Sequence, residues 1–188
     1  MELKSVEFTN LNYSFVKKRI TIKCDGSTKI ISSASGTGKS TFVKSLVGIF
    51  PLDKENIFIN GRAADDESLK LFLENIGYIG QQPKFFKGTI KENILLGVTE
   101  TNLDKIFFFS CLDEEFAEGK LKLDSDVGFG GSAISGGQKK RLAIARALAT
   151  APKILFVDDF AEGLDVKTQG EMLKRFREDK SFSKVLVV

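Results

Sequence analysis

The stretch that decides the fold is Lys29-Ile30-Ile31-Ser32-Ser33-Ala34-Ser35-Gly36-Thr37-Gly38-Lys39-Ser40-Thr41. A short strand, Lys29 to Ser33, runs straight into a glycine loop. A helix then reads from Ser40 to Gly48, with Phe42, Val43, Leu46 and Val47 on its buried side. Strand, loop and helix in that order make a phosphate cradle. Gly36 and Gly38 let the backbone bend and approach an anion with no Cβ in the way. The helix start turns its free N–H groups and positive end toward it. In such a Ser35-to-Thr41 cradle, Lys39 reaches the β- and γ-phosphates, Ser40 offers its hydroxyl to Mg²⁺, and Thr41 sits near the α-phosphate.

Two further strings lie downstream. Ile154-Leu155-Phe156-Val157, after Pro152, is a continuous apolar run of the kind found in strands buried on both faces. Asp158 ends it, and at the carboxyl edge of a parallel sheet such a carboxylate holds Mg²⁺ through water. Asp159 comes next, placed either to polarise an attacking water or to act as a solvated turn acid. Earlier, Ser135-Gly136-Gly137-Gln138 opens a helix that runs to Thr150. Ser135 is a good N-cap, and the glycines expose backbone N–H groups, so this is a second anion site. One nucleotide has no need of both sites in one subunit. The economical arrangement is a head-to-tail dimer, in which the cradle of one copy holds ATP and Ser135 to Gln138 of the other closes on it.

Composition narrows the field. With 188 residues, the chain is long enough for a domain with a real core. A net charge of +3 is too small to argue for nucleic acid or an anionic membrane surface. The chain has no histidine, which excludes histidine catalysis and most zinc sites. Cys24 and Cys111 form no CxxC and no metal spacing, so they read as free thiols of a reducing compartment. No apolar run approaches the ~20 residues a membrane span needs, so any membrane connection goes through a partner.

The first 33 residues alternate in short apolar and polar runs, with turns at Asp25-Gly26 and at Asn60-Gly61 after Ile57-Phe58-Ile59. They predict a β layer beside the main sheet. From Pro83 to Ala133 the pattern changes to short helices, among them Thr89 to Leu96 and Asn102 to Cys111, which predicts an inserted helical lobe. Val166 to Asp179 reads as a helix and Lys184 to Val188 as a strand. Strands alternating with helices give a mostly parallel sheet. The division expected is an ATP-binding core with β layer over 1–81 and 135–188, and a helical subdomain over 82–134.

Taken together, these strings resemble the nucleotide-binding domain of the ABC ATPases, over nearly the whole chain. Ser35 to Thr41 matches the Walker A motif, Ile134 to Gln138 the signature motif, continued by Lys140 to Ala147, and Ile154 to Asp158 the Walker B motif. The resemblance implies an α/β fold: a P-loop NTPase with a RecA-like core, an N-terminal antiparallel β layer and an inserted helical lobe. Tyr78 to Pro83 looks like the Q-loop. The resemblance makes Gln81, with Gln82 as runner-up, the residue that touches Mg²⁺ and senses a membrane partner. Phe15, or else Tyr13, falls where the family stacks an aromatic ring on adenine. Asp126 to Gly131 and Gly88 to Ile94 look exporter-like. The activity implied by the resemblance is that of an ABC exporter's ATPase, with ATP and Mg²⁺ as cofactors and Lys39, Gln81 and Asp159 as catalytic residues. Its partners would be a second such domain, identical or not, and a transmembrane domain, with no nucleic acid. That partner would hold it at the cytoplasmic face of a membrane. The alternative is an ATP-gated dimerisation module with little hydrolysis.

The departures from the family pattern carry information. Asp159 stands where the family has glutamate, which draws the carboxylate back by about 1.5 Å and slows a reaction that depends on water position. Phe129 replaces an acid, and Ala161 to Asp165 keeps only Leu164-Asp165 of the D-loop. The family's switch histidine comes after the strand at Lys184 to Val188, where this sequence stops. That reads as a fragment or as a divergent form with reduced turnover. Phe107-Phe108-Phe109 reads as lobe core rather than a docking groove, Lys139-Lys140-Arg141 as a solvated helix face, and Lys17-Lys18-Arg19 as a basic hairpin turn.

The cradle pattern begins with glycine, and Ser33 occupies that place. Serine fills it only where the backbone needs no left-handed angle. Weakened rather than abolished nucleotide binding is expected. In an ATP titration Ser33→Gly should bind more tightly than wild type, and equal or lower affinity would contradict this.

Overall fold

The short strands pair where side-chain alternation and turn chemistry direct them. Ile57-Phe58-Ile59 turns back through Asn60 and Gly61, both left-handed at φ 53° and 78°, onto Arg62-Ala63. That is the geometry a two-residue hairpin demands. The computed structural model describes residues 2–11, 19–51 and 53–188. Within them the chain forms two compact units, 1–80 with 152–160 and 179–188, and 81–151 with 161–178.

The first unit holds two four-stranded sheets. The N-terminal one is antiparallel, in the order β2 (Ile20–Lys23), β1 (Ser5–Phe8), β4 (Ile57–Ile59), β5 (Arg62–Ala63). The other is wholly parallel, in the order β3 (Thr28–Ile31), β8 (Ser183–Val187), β7 (Ile154–Val157), β6 (Ile76–Ile79). Every residue of β7 and β8 is buried, as befits central strands; the unbroken apolar run of β7 announces it, whereas β8 carries Ser183 and Lys184 into the interior. Helices α1 (Lys39–Leu46) and α2 (Asp66–Glu74) complete this unit, and one core joins both sheets to them. Phe8, Phe42, Phe72 and Phe156 lie in it fully buried, with Phe8 and Phe72 edge to face at 5.9 Å.

The expected turn at Asp25-Gly26 has a steric reason. A Cβ on Gly26 would stand 2.3 Å from the Lys180 backbone, at a φ of 76°. β8 also buries a charge that its sequence position does not announce. Lys184 is wholly buried, and its ammonium donates to the Asp179 carbonyl at 2.7 Å and carboxylate at 3.1 Å, 4.2 Å from the Phe182 ring.

The second unit is helical: α3 (Ile90–Leu95), α4 (Leu103–Ser110), α5 (Asp113–Ala117), α6 (Gly136–Ala149) and α7 (Val166–Glu178). Thr89 and Glu92 cap α3 reciprocally, and Asn102 caps α4. Asn93 is buried, and its amide holds the backbone of Phe86 and Thr89. Arg146 of α6 binds the Asn93 and Lys84 carbonyls at 2.7 and 2.8 Å and lies 4.6 Å from the Phe85 ring. Arg175 plays the same part for α7. It bonds Glu171, Asp113 and the Phe108 carbonyl, and burial, which alone would lower its pKa, is outweighed by those acceptors, so the pKa rises.

The compact units gather α6 and α7 with residues 81–134, whereas the sequence division kept 135–188 with the core. The reason is packing: α6 lies against α3 and α4, and α7 against α4. One expectation fails. Lys139-Lys140-Arg141 is no solvated face, because Lys140 is 3% exposed and Arg141 is paired with Glu115 at 2.7 Å in a largely buried setting. Phe107 and Phe109 are lobe core as expected, while Phe108 is exposed beneath the Arg175 guanidinium at 4.3 Å. Lys17 and Lys18 lie outside the described residues.

Asp179 offers a direct test. Burial pushes its pKa up, but hydrogen bonds from Ser181 and Lys184 more than offset this and hold it below the ordinary 3.8. A depressed carboxyl pKa gives stability that is complete above 3.8 and lost as pH falls through the folded value. Asp179→Asn leaves Lys184 buried without its counter-charge and should lose about 3 kcal/mol at pH 7. Urea unfolding checks this, and the gap between the two proteins should shrink below about pH 4.

Candidate functional site

The glycine loop leaves β3 at the carboxyl edge of the parallel sheet and enters α1 at Lys39. Gly36 and Gly38 both adopt left-handed backbone, at φ 78° and 93°. Ser33 does not, so serine meets the backbone condition there without strain. Its hydroxyl is bonded to that of Thr37, which donates to the Ala34 carbonyl at 2.8 Å. The Lys39 ammonium bridges the loop, donating to the carbonyls of Ser33 at 2.6 Å and Ala34 at 3.0 Å. α1 has no side-chain cap and no acid in its first turn, so its first N–H groups and positive end are open to an anion. Ser35 and Thr41 are exposed on either side.

One strand over from β8 and two from β3, β7 delivers Asp158. It is 1% exposed, and its Oδ1 accepts from the Ser40 hydroxyl at 3.0 Å. The Asp158 N–H donates to the Ile79 carbonyl at 2.8 Å, which fixes the acid beside the end of β6. Tyr78 of β6 was no sequence candidate, yet its phenol lies against Asp158. Burial, and then the neighbouring carboxylate, push its pKa up to about 12. The next residue, Asp159, is half-buried and left-handed at φ 50°, a conformation that aspartate tolerates better than longer side chains.

Ser40 and Asp158 form a donor set for a hard cation. Among the described residues no three His, Cys, Asp or Glu side chains gather around a common point. A hydroxyl and one buried carboxylate are oxygen ligands of the kind that Mg²⁺ takes, an ion that keeps most of its ligands from water and phosphate.

The second unit carries the other anion-facing helix start. Ser135 caps α6: its hydroxyl accepts from the Gln138 N–H at 3.2 Å, and Gln138 Oε1 accepts from the Ser135 N–H at 2.9 Å. The serine acts here as acceptor, which leaves its own proton for another ligand. α6 has no acid in its first turn. Gly136 is exposed, with nothing within 4 Å of where a Cβ would stand. Gly137 lies under the Gly163 carbonyl, 3.1 Å from such a Cβ. Sequence reasoning missed Gly163, whose φ of 79° the Glu-Gly-Leu run only hints at. Asp165 is spent on capping α7. Hydrogen bonds from Thr168 hold its carboxyl below the usual range.

The structure thus brings Lys39, Ser40 and Asp158 together in the first unit and Ser135, Gly136, Gly137 and Gln138 in the second. Gln81 is exposed and is the first residue of the second unit. Phe15 and Tyr13 lie outside the described residues.

A parallel sheet with a glycine loop between β3 and α1 and a carboxylate closing β7 defines a P-loop NTPase fold. The ABC transporter family profile matches residues 19–162. An uncharacterised ABC transporter ATP-binding protein, YfiB, of Bacillus subtilis is 37% identical over 78% of this chain. ABC transporter B family member 13 of Arabidopsis thaliana is 33% identical over 90% of it. The chain spans only 26% and 14% of those two relatives. A bacterial Atm1-family ABC exporter solved with ATP bound superposes on 99% of this chain with a TM-score of 0.79 and 26% identity, and the match covers 35% of that protein. The chain belongs to the ABC transporter family, as a nucleotide-binding domain of exporter type.

The two signature glycines should respond differently to a methyl group. Gly136→Ala meets open space and gains helix propensity, so its stability should equal or exceed wild type. Gly137→Ala presses on a backbone carbonyl and should be about 1 kcal/mol less stable than Gly136→Ala in thermal or urea unfolding.

Proposed function

We propose that this domain binds ATP with Mg²⁺, hydrolyses it slowly, and does so at the face between two such domains. The observation that carries the reading is the Ser40–Asp158 bond, 3.0 Å long, set beside an unopposed helix start and a bridging Lys39. Phosphoryl transfer needs little from a protein beyond positioning and charge. Lys39 and the N–H groups of α1 bind the phosphates. Ser40 and Asp158, with Gln81, hold the metal. When bound, Mg²⁺ supplies charge neutralisation at the β- and γ-phosphate oxygens. Asp159 and Gln81 orient the water that attacks the γ-phosphorus as its bond to the β-phosphate oxygen breaks and ADP leaves, and the family resemblance assigns adenine to Phe15, or else Tyr13, both outside the described residues. Ser135, with its spare proton, and the Gly136 and Gly137 N–H groups of another copy close on the γ-phosphate.

Closure of two domains on ATP would drive a transmembrane exporter partner, at its cytoplasmic face. No helix among the described residues is long and apolar enough to cross a membrane. The helical unit has an open depression edged by Phe86, Leu95, Leu96 and Val98 together with Lys91, Glu92 and Asp124, with Leu96 57% exposed. Kinship with exporters supports this coupling.

A second reading is an ATP-gated dimerisation module with negligible hydrolysis. The left-handed backbone and short reach of Asp159 favour it. Steady-state phosphate release separates the two. For a slowed ATPase, Asp159→Glu should raise turnover about tenfold or more by restoring the reach, and Asp159→Asn should abolish it. Background release from all three proteins would leave only the module.

A further inference from the structure

Tyr78 is a residue the proposed reaction does not use, yet it sits at its metal carboxylate. It pairs in register with Phe156, two residues before Asp158, at the carboxyl edge of the sheet. Its hydroxyl is fully buried and completes no well-formed hydrogen bond. A buried phenol proton without an acceptor costs free energy, so the group it faces matters. That group is the Asp158 carboxylate. Space for the phenol is kept by Gly80, where a Cβ would stand 3.3 Å from the hydroxyl oxygen.

A carboxylate turns about its Cβ–Cγ bond unless its neighbours fix its plane. Ser40 engages Oδ1 of Asp158, and the Tyr78 hydroxyl lies against the same group from a different strand. We propose that Tyr78 is a positioning residue for the metal: its O–H docks on the Asp158 carboxylate and fixes the plane in which that carboxylate meets Mg²⁺. The inference rests on the nucleotide reading given above. A phenylalanine in the same place would fill the space and leave the carboxylate's plane unset.

The test is calorimetric ATP binding to wild type and Tyr78→Phe, each in Mg²⁺ and in EDTA. Tyr78→Phe should lose about tenfold in affinity in Mg²⁺, the scale of one hydrogen bond to a charged group, and match wild type in EDTA. A merely structural role would weaken both conditions together. Equal loss in Mg²⁺ and EDTA, or no loss in Mg²⁺, would overturn the inference while leaving the nucleotide reading intact. Absence of ATP binding by wild type in Mg²⁺ would overturn that reading, and this inference with it.

Discussion

The hydrogen bond from Ser40 to Asp158 is the constraint on which the rest of the ATP site depends. It ties the first turn of α1 to the end of the central strand β7, residues 118 positions apart in sequence. Only a parallel sheet brings them together. Ile31 pairs with Val187 and Val157 with Leu186, so β3 and β7 end at the same edge with β8 between them. At about 4.8 Å per strand, the glycine loop need cross only about 10 Å to set its helix start beside the carboxylate. Burial of β7 and β8 on both faces holds that edge rigid, and the left-handed glycines let the loop make the crossing.

The chain offers two helix starts of the same electrical kind, and each is kept free of acid. α1 begins at the glycine loop and α6 at Ser135. The second is built more firmly, with a reciprocal cap and an Arg141–Glu115 pair behind it. Its outward atoms are the Gly136 surface and the proton of Ser135. A site that is stiff, uncharged and ready to donate is suited to receiving a ligand held elsewhere. Two such helix starts in one chain are what the proposed sharing of a nucleotide between two copies calls for.

Much of this was legible in the sequence because it is local. Glycine loops, caps and turns are written in adjacent residues: Gly36 and Gly38 in the loop, Ser135 as a helix cap, Asn60 with Gly61. Central strands announce themselves by unbroken apolar runs, as Ile154 to Val157 does. What stayed hidden depends on partners distant in the chain. Lys184 reads as an ordinary charged residue until the fold wraps Asp179 and Phe182 around it. Lys140 and Arg141 look solvated because only the packing of α6 shows which of its sides is covered. Tyr78 sits in a strand between glycine and isoleucine, and nothing nearby says that its hydroxyl is buried near Asp158. The left-handed turn at Asp159 is likewise set by its neighbours, since Phe160 bonds back to Val187 at 2.7 Å.

That turn bears on how far the domain departs from its relatives. Aspartate at a left-handed position sits with little strain, and Asp159 adopts one at φ 50°. The proposed grip on phosphate and metal does not depend on Asp159, since Lys39, Ser40 and Asp158 are all in place. Nucleotide-driven association is therefore the central claim, and it is separable from turnover. Sedimentation velocity of Asp159→Asn, with and without ATP and Mg²⁺, measures it most directly. The account predicts a monomer without nucleotide and a dimer with it; a monomer at saturating ATP and Mg²⁺ would contradict it.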